Sequence, residues 1–235
     1  STHILVRGID FETPVPQILN KKRLAGDLDK IRRQDGPNWV RNGVMGDPAY
    51  DWELAIETAR IISEQGFYNV IMTKMPVLPT AGQLLRLSAY NTVLHLGLVV
   101  GFNISTQPEW ERKVELMRMY QTWAGYDYAI LRVGTFAFDQ TNTDGAELAA
   151  EQKAWINMGF KFMEGPWRLT KQHDFAKAGL LDWDSYSRHK AYGKKGVKSS
   201  NFTPRPQVFT GKDPTVLGCV TECAACPNQC GTANL

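Results

Sequence analysis

Asn38-Trp39-Val40-Arg41-Asn42-Gly43-Val44-Met45 is an apolar-rich run that closes on Gly46-Asp47-Pro48, and Tyr68-Asn69-Val70-Ile71-Met72 is a second that closes on Thr73-Lys74-Met75-Pro76. Between them, Trp52, Ala55, Ile56, Ala59 and Ile62 recur at three- and four-residue steps while Glu53, Glu57, Arg60 and Glu64 point elsewhere. That spacing puts one apolar stripe on a helix from Asp51 to Gln65, with Asp51 as N-cap and Gly66 as stop. Strand, helix, strand is a βαβ unit. Its strands must be parallel, because a parallel neighbour is reached only through a crossover. Ligands of such sheets bind beyond the carboxyl ends of the strands, where Gly46, Asp47, Thr73 and Lys74 stand.

The same alternation extends in both directions. Upstream, His3 to Asp10 reads as a strand, Thr13-Pro14-Val15-Pro16 breaks it, and a basic helix from about Gln17 to Arg33 ends before Gly36-Pro37. Downstream, a short helix carries Leu84, Leu85 and Leu87, a strand runs from Thr92 to Val100, and a helix from about Pro108 to Trp123 places Trp110, Val114, Met117 and Gln121 on one face. Tyr128 to Val133 reads as a strand, Ala146 to Asn157 as a helix, Phe160 to Met163 as a strand and Gln172 to Leu180 as a helix. Six βα units are too few for the usual eight-stranded closure, so the expected class is α/β, either an open (βα)6 partial TIM barrel or a doubly wound sheet. Periodicity does not choose between them.

The chain of 235 residues, 43% apolar and 22% charged, is long enough for one sizeable core. It has no apolar run long enough to span a bilayer, and Ser1-Thr2-His3-Ile4 opens no charged-then-apolar leader, so a cytoplasmic protein without a membrane partner is expected. A net charge of +3 does not by itself imply a nucleic-acid partner. The pattern of elements stops after Tyr186, dividing a core over 1–184 from a loop-rich tail over 185–235. From Ser185 to Lys212 there are seven Lys or Arg and no acid, interleaved with Tyr186, Tyr192, Phe202 and Phe209. Such a tail suits either a nucleic-acid backbone with stacked bases or a solvated arm docked on a protein partner.

All four cysteines lie in the last 17 residues, as Cys219, Cys223, Cys226 and Cys230 in the spacing C-x3-C-x2-C-x3-C. A disulfide framework spreads its cysteines, whereas this crowding lets thiolates turn about one inorganic centre, with Pro227 suiting the tight turn. An iron–sulfur cluster and zinc both remain open, although four-cysteine zinc sites commonly join two knuckles across a longer loop. Three ligands would leave one iron of a 4Fe-4S cluster exposed to a substrate; four would close it.

C-x3-C-x2-C resembles the cysteine motif of radical S-adenosylmethionine enzymes, whose core is an open (βα)6 barrel. The likeness extends to spore photoproduct lyase-like proteins and related radical-SAM-like proteins of phages, in which a Gly-Asp or Gly-Glu strand ending precedes a strand that ends in Thr-Lys. Gly46-Asp47 and Thr73-Lys74 match those places, and the resemblance covers about Trp39 to Asp139, including Glu109-Trp110-Glu111-Arg112. It implies a 4Fe-4S cluster on Cys219, Cys223 and Cys226, and S-adenosylmethionine held by Gly46, Asp47, Thr73 and Asn103, with Asp47 against the methionine amine. Lys74 and Arg132 are the implied catalytic candidates at the mouth. In the family the cysteines follow the first strand, and here they do not. The other reading is therefore a non-catalytic assembly protein on the same scaffold with a four-cysteine zinc or closed iron–sulfur site.

Two further residues stand out by chemistry. Arg132 in an apolar strand must be paired or reach the rim, which suits a carboxylate or phosphate. Glu164, beside Gly165-Pro166-Trp167-Arg168, ends its strand and with Asp47 and Lys74 gives a third reading, ordinary acid–base catalysis. His95 between Leu94 and Leu96 reads as a core histidine with satisfied hydrogen bonds. His3, His173 and His189 do not cluster with the cysteines.

Overall fold

A computed structural model describes residues 19–42, 46–99, 109–166, 174–188, 208–210, 212–218, 228–233 and 235. The expected strand over His3 to Asp10 lies outside them. Helix α1 (Lys21–Arg33) is capped by Asn20, whose side chain accepts from Arg23 N. Strand β1 (Trp39–Asn42) leads through Gly46 and a 3-10 turn (Pro48–Tyr50) to α2 (Trp52–Glu64), where Asp51 accepts from Leu54 N at 3.0 Å. Strand β2 (Tyr68–Thr73), α3 (Ala81–Ser88), β3 (Thr92–Val99) and α4 (Trp110–Ala124) follow. Then come β4 (Ala129–Thr135), α5 (Thr143–Ala154), β5 (Lys161–Pro166) and two short helices, α6 (Asp174–Lys177) and α7 (Trp183–Arg188).

A sixth strand, β6 (Val216–Gly218), comes from the tail and pairs parallel with Phe162, Met163 and Glu164. Periodicity does not announce it. The six strands form one open, all-parallel sheet in the order β1-β2-β3-β4-β5-β6. A doubly wound sheet reverses direction at a switch point, and this order has no reversal, so that alternative is set aside. Right-handed crossovers that always advance the same way put the helices on one face.

Packing agrees. Ile71, Leu94, Leu96, Leu131 and Phe162 meet Trp52, Ile56, Leu84, Leu87, Met117 and Tyr120 of the helices in the main core, and each fully buried Leu or Ile stabilises by about 1.5–3 kcal/mol. The opposite face carries Trp39, Val70, Val93, Ile130 and Met163, and is covered by Cys230 of the C-terminal segment.

Two expectations are corrected. On α4 the buried residues are Lys113, Leu116, Met117 and Tyr120; Met117 of the expected face is among them and Trp110 and Val114 pack partly buried against the same core, so the stripe is rotated and not replaced. Tyr120 drives the rotation, since its buried hydroxyl donates to Thr92 O at 2.6 Å and must face the sheet. The tail beyond Tyr186 also contributes a sheet element.

Candidate functional site

Parallel strands end on one rim, and five expected site residues meet there. A cavity of about 510 Å³ is lined by Gly46 and Asp47 after β1, Met72, Thr73 and Lys74 at the end of β2, His95 and Gly97 on β3, and Arg132 on β4. Tyr50, 56% exposed, forms its outer lip. Asn103 and Arg168, the remaining rim candidates, lie outside the described residues.

Asp47 ties two strand ends together. Its Oδ1 accepts from Ala49 N at 3.0 Å and its Oδ2 from Lys74 N at 2.8 Å. The turn chemistry of an Asp before Pro is thus present, and a link to β2 is added to it. Thr73 is buried and its hydroxyl accepts from Met75 N at 2.7 Å, which steadies Met75 at a left-handed φ of 51°. Lys74 is exposed, with its ammonium free to reach over the mouth. Arg132 is half-buried and its Nη1 donates to Met163 Sδ at 3.2 Å.

Residues one apart alternate between the two faces of a strand, so His95, Arg132, Arg41, Met72 and Lys161 share the face opposite the helices. The register agrees, pairing Met72 with His95, His95 with Ile130 and Ile130 with Lys161. His95 is fully buried. Its Nε2 stands 3.0 Å from Cys230 O, and its buried Nδ1 has no hydrogen-bond partner among the described residues. Burial first, and then the Arg132 charge, push its pKa down to about 3 against the pull of the Cys230 carbonyl, with Lys161 and Arg41 adding to the fall. The expectation of a satisfied core histidine holds for one ring nitrogen only. The clue in the sequence was a titratable ring flanked by leucines.

Glu164 is corrected as an acid–base candidate. It is fully buried and faces the helix side, where its carboxylate accepts from Thr135 Oγ1, Val208 N, Phe209 N, Thr210 N and Thr210 Oγ1 at 2.6 to 3.2 Å. Five donors satisfy a buried carboxylate and dock 208–210 against β5. That docking delivers the chain to β6. Gly218 is needed at its end, because a Cβ there would come within 2.5 Å of Thr210 Cγ2.

Gly218 immediately precedes Cys219 and pairs with Glu164 near the carboxyl end of β5. Asn228 Nδ2 donates to Gly218 O at 2.7 Å. The residues flanking 219–227 are thus joined to each other. Cys219, Cys223 and Cys226 lie within 219–227, outside the described residues. Cys230 falls beyond the tie, 5% exposed among Trp39, Val70, Val93, Ile130 and Met163. Among the described residues no group of three or more His, Cys, Asp or Glu is gathered to hold a metal.

Most of the basic tail over 185–212, the expected surface for a nucleic-acid or protein partner, also lies outside the described residues. No described helix is long and apolar enough to cross a membrane. No protein-family model matches the chain, and no curated protein matches it.

Proposed function

We propose that the chain is a radical-SAM-like iron–sulfur protein on a partial TIM-barrel scaffold, acting on a substrate at the rim cavity. The observation that carries the reading is β6. It ends at Gly218, directly before Cys219, on the edge of the sheet whose carboxyl rim is lined by Asp47, Thr73, Lys74 and Arg132. The displaced cysteine box thereby starts from the sheet that carries the candidate site, by a different route from the family's first strand.

The donor set suits the group. Three cysteines stand in the sequence between Gly218 and Asn228, which are tied to each other, and the fourth, Cys230, is buried beside an apolar cluster. Three thiolates leave one iron of a 4Fe-4S cluster open to a substrate. Cys219, Cys223 and Cys226 would hold such a cluster, which would supply one-electron reduction of S-adenosylmethionine for hydrogen abstraction from a substrate. The chain's own share is positioning and exclusion of water. Gly46 and Asp47 would hold the methionine end, with the Asp47 carboxylate already anchored by Ala49 N and Lys74 N. Thr73 and Lys74 would line the mouth, and Arg132 would meet an anionic group deeper in.

Metal analysis with an absorbance spectrum on protein purified without oxygen tests the reading. About four irons per chain and absorbance near 400 nm are expected. About one zinc and no colour would overturn it in favour of a structural site on a non-catalytic assembly protein.

A further inference from the structure

The inner end of the rim cavity has a hydrogen-bonding character of its own. Cys230 O can only accept, so His95 Nε2, 3.0 Å away, carries the ring proton. The ring is neutral, and its Nδ1 presents a lone pair. That atom is buried, has no partner among the described residues, and belongs to a side chain that lines the cavity. An acceptor in such a position leaves a desolvation cost unmet until a donor arrives.

The surroundings narrow the donor's identity. Arg132 lines the same cavity, and Arg41 and Lys161 share its face of the sheet. Lys161 is engaged by Asp127 at 2.8 Å and by Gly231 O at 3.4 Å. Asp47, the one carboxylate among the described lining residues, is tied to Ala49 N and Lys74 N at the ends of β1 and β2. Beside His95 and Arg132, away from Asp47, this field disfavours a cation or an ammonium donor. Gly97 contributes no side chain to the cavity, and a Cβ there would meet only Thr73 O at 3.5 Å and Lys74 Cγ at 3.7 Å. The space can take a compact group.

We propose that the inner end of the cavity binds a phosphate group that retains a proton, its P–OH donating to His95 Nδ1 and its other oxygens facing Arg132. Sulfate has the same shape but no proton near neutral pH, so it would set lone pair against lone pair at Nδ1. A site built to bond a hydroxyl rejects the analogue that lacks it. The site goes beyond the cluster reading and does not depend on it. Metal analysis reads the cysteine box, and anion titration reads His95.

The experiment is calorimetric titration of the full chain with inorganic phosphate and with sulfate near neutral pH. Phosphate should bind at least about tenfold more tightly than sulfate. His95→Leu should bring the two anions to within about twofold of each other, and Arg132→Gln should weaken both at least about tenfold. A parallel titration with methyl phosphate at about pH 5.5, below the second ionisation of a monoester at about 6, keeps a proton on the ester. It separates a monoester ligand, which would bind, from free phosphate, which alone would bind if the ester is too large. Should His95→Leu fail to fold, nitrogen NMR of the unmutated protein labelled at histidine replaces it. The Nδ1 resonance should then move with phosphate and stay fixed with sulfate. Equal affinity for phosphate and sulfate, no binding of phosphate, or an Nδ1 resonance unmoved by phosphate would each overturn the proposal.

Discussion

His95 Nε2 donates to the carbonyl oxygen of Cys230 at 3.0 Å, joining two residues 135 positions apart. The bond pins the C-terminal segment to the face of the sheet opposite the helices. It also fixes the tautomer of the ring. Cys230 sits between Gln229 and Gly231, and all three adopt left-handed backbone angles, φ 43°, 54° and 90°. For the two non-glycine residues that conformation costs on the order of 1 kcal/mol each. The turn therefore depends on tertiary contacts, of which the His95 bond is one and Lys161 with Gly231 O another.

A pH dependence follows from the buried ring. Its pKa falls from 6.5 to about 3 on folding, so below 6.5 the unfolded chain binds a proton that the folded chain refuses. Stability from this group is full above 6.5 and is lost as the pH falls, at about 1.4 kcal/mol per unit. The window between 6.5 and the ordinary glutamate value of 4.5 separates it from most carboxylates. Urea unfolding at the two ends of that window should differ by roughly 2 kcal/mol, and His95→Leu should flatten the difference. An unchanged slope in the variant would assign the effect elsewhere.

Gly231→Ala should loosen the same turn. A Cβ at Gly231 would lie 2.3 Å from Ile130 Cδ1, on a backbone with φ 90°. Overpacking and left-handed strain together should cost about 2–4 kcal/mol. Thermal unfolding measures it. Gly26→Ala is the control, because nothing lies within 4 Å of its Cβ position and it sits inside α1. It should be neutral or stabilising by up to about 1 kcal/mol.

What was legible in the sequence was local. The stripe of Trp52, Ala55, Ile56, Ala59 and Ile62 is written at helical spacing, and each of these residues is buried where that spacing puts it. Gly46, Asp47, Thr73 and Lys74 were readable as rim residues because strand ends are marked by the change from apolar to polar. The strand Val216–Gly218 was not readable. Three residues carry too little periodicity, and what makes them a strand is Glu164, 44 to 46 positions before the amides it binds. The meaning of Glu164 was hidden for the same reason, since a carboxylate at a strand end looks catalytic until its donors are found. His95 was visible as unusual, but its two nitrogens were distinguishable only once the Cys230 carbonyl was in place.

Glu164→Gln should release the segment that leads to the cysteine box. The amide replaces one accepting oxygen with a donor, facing amides and hydroxyls that themselves donate. The loss of a buried, fully bonded carboxylate should cost about 3 kcal/mol. Hydrogen exchange at Val208, Phe209 and Thr210 should accelerate well before exchange in β3 or β4. If all these amides accelerate together, Glu164 supports the whole sheet and not the tail alone.

Asp47→Ala and Lys74→Met should separate anchoring from binding. Asp47 holds Ala49 N and Lys74 N, so its loss should cost about 1–2 kcal/mol and also weaken ligands at the rim. Lys74 is exposed, and its removal should leave unfolding within about 0.5 kcal/mol while weakening binding of a ligand that offers it a carboxylate. Paired urea and S-adenosylmethionine titrations check both. If Lys74→Met binds that ligand as tightly as the unmutated chain, the lysine is a solvated side chain with no place in the site.

Cys230→Ala against Cys223→Ala decides how many thiolates hold the metal. Cys230 lies past the Asn228–Gly218 tie, buried against Val70, Val93 and Ile130. Removing its sulfur leaves a small cavity, which should cost about 1 kcal/mol and leave the metal content and any absorbance near 400 nm intact. Cys223 lies inside the tie, and its removal should lower metal content sharply. Because structural metal binding contributes folding free energy directly, a four-ligand site would show the opposite pattern, with Cys230→Ala losing metal and stability together. That result would move the box from an open centre facing a substrate to a closed one that serves the fold.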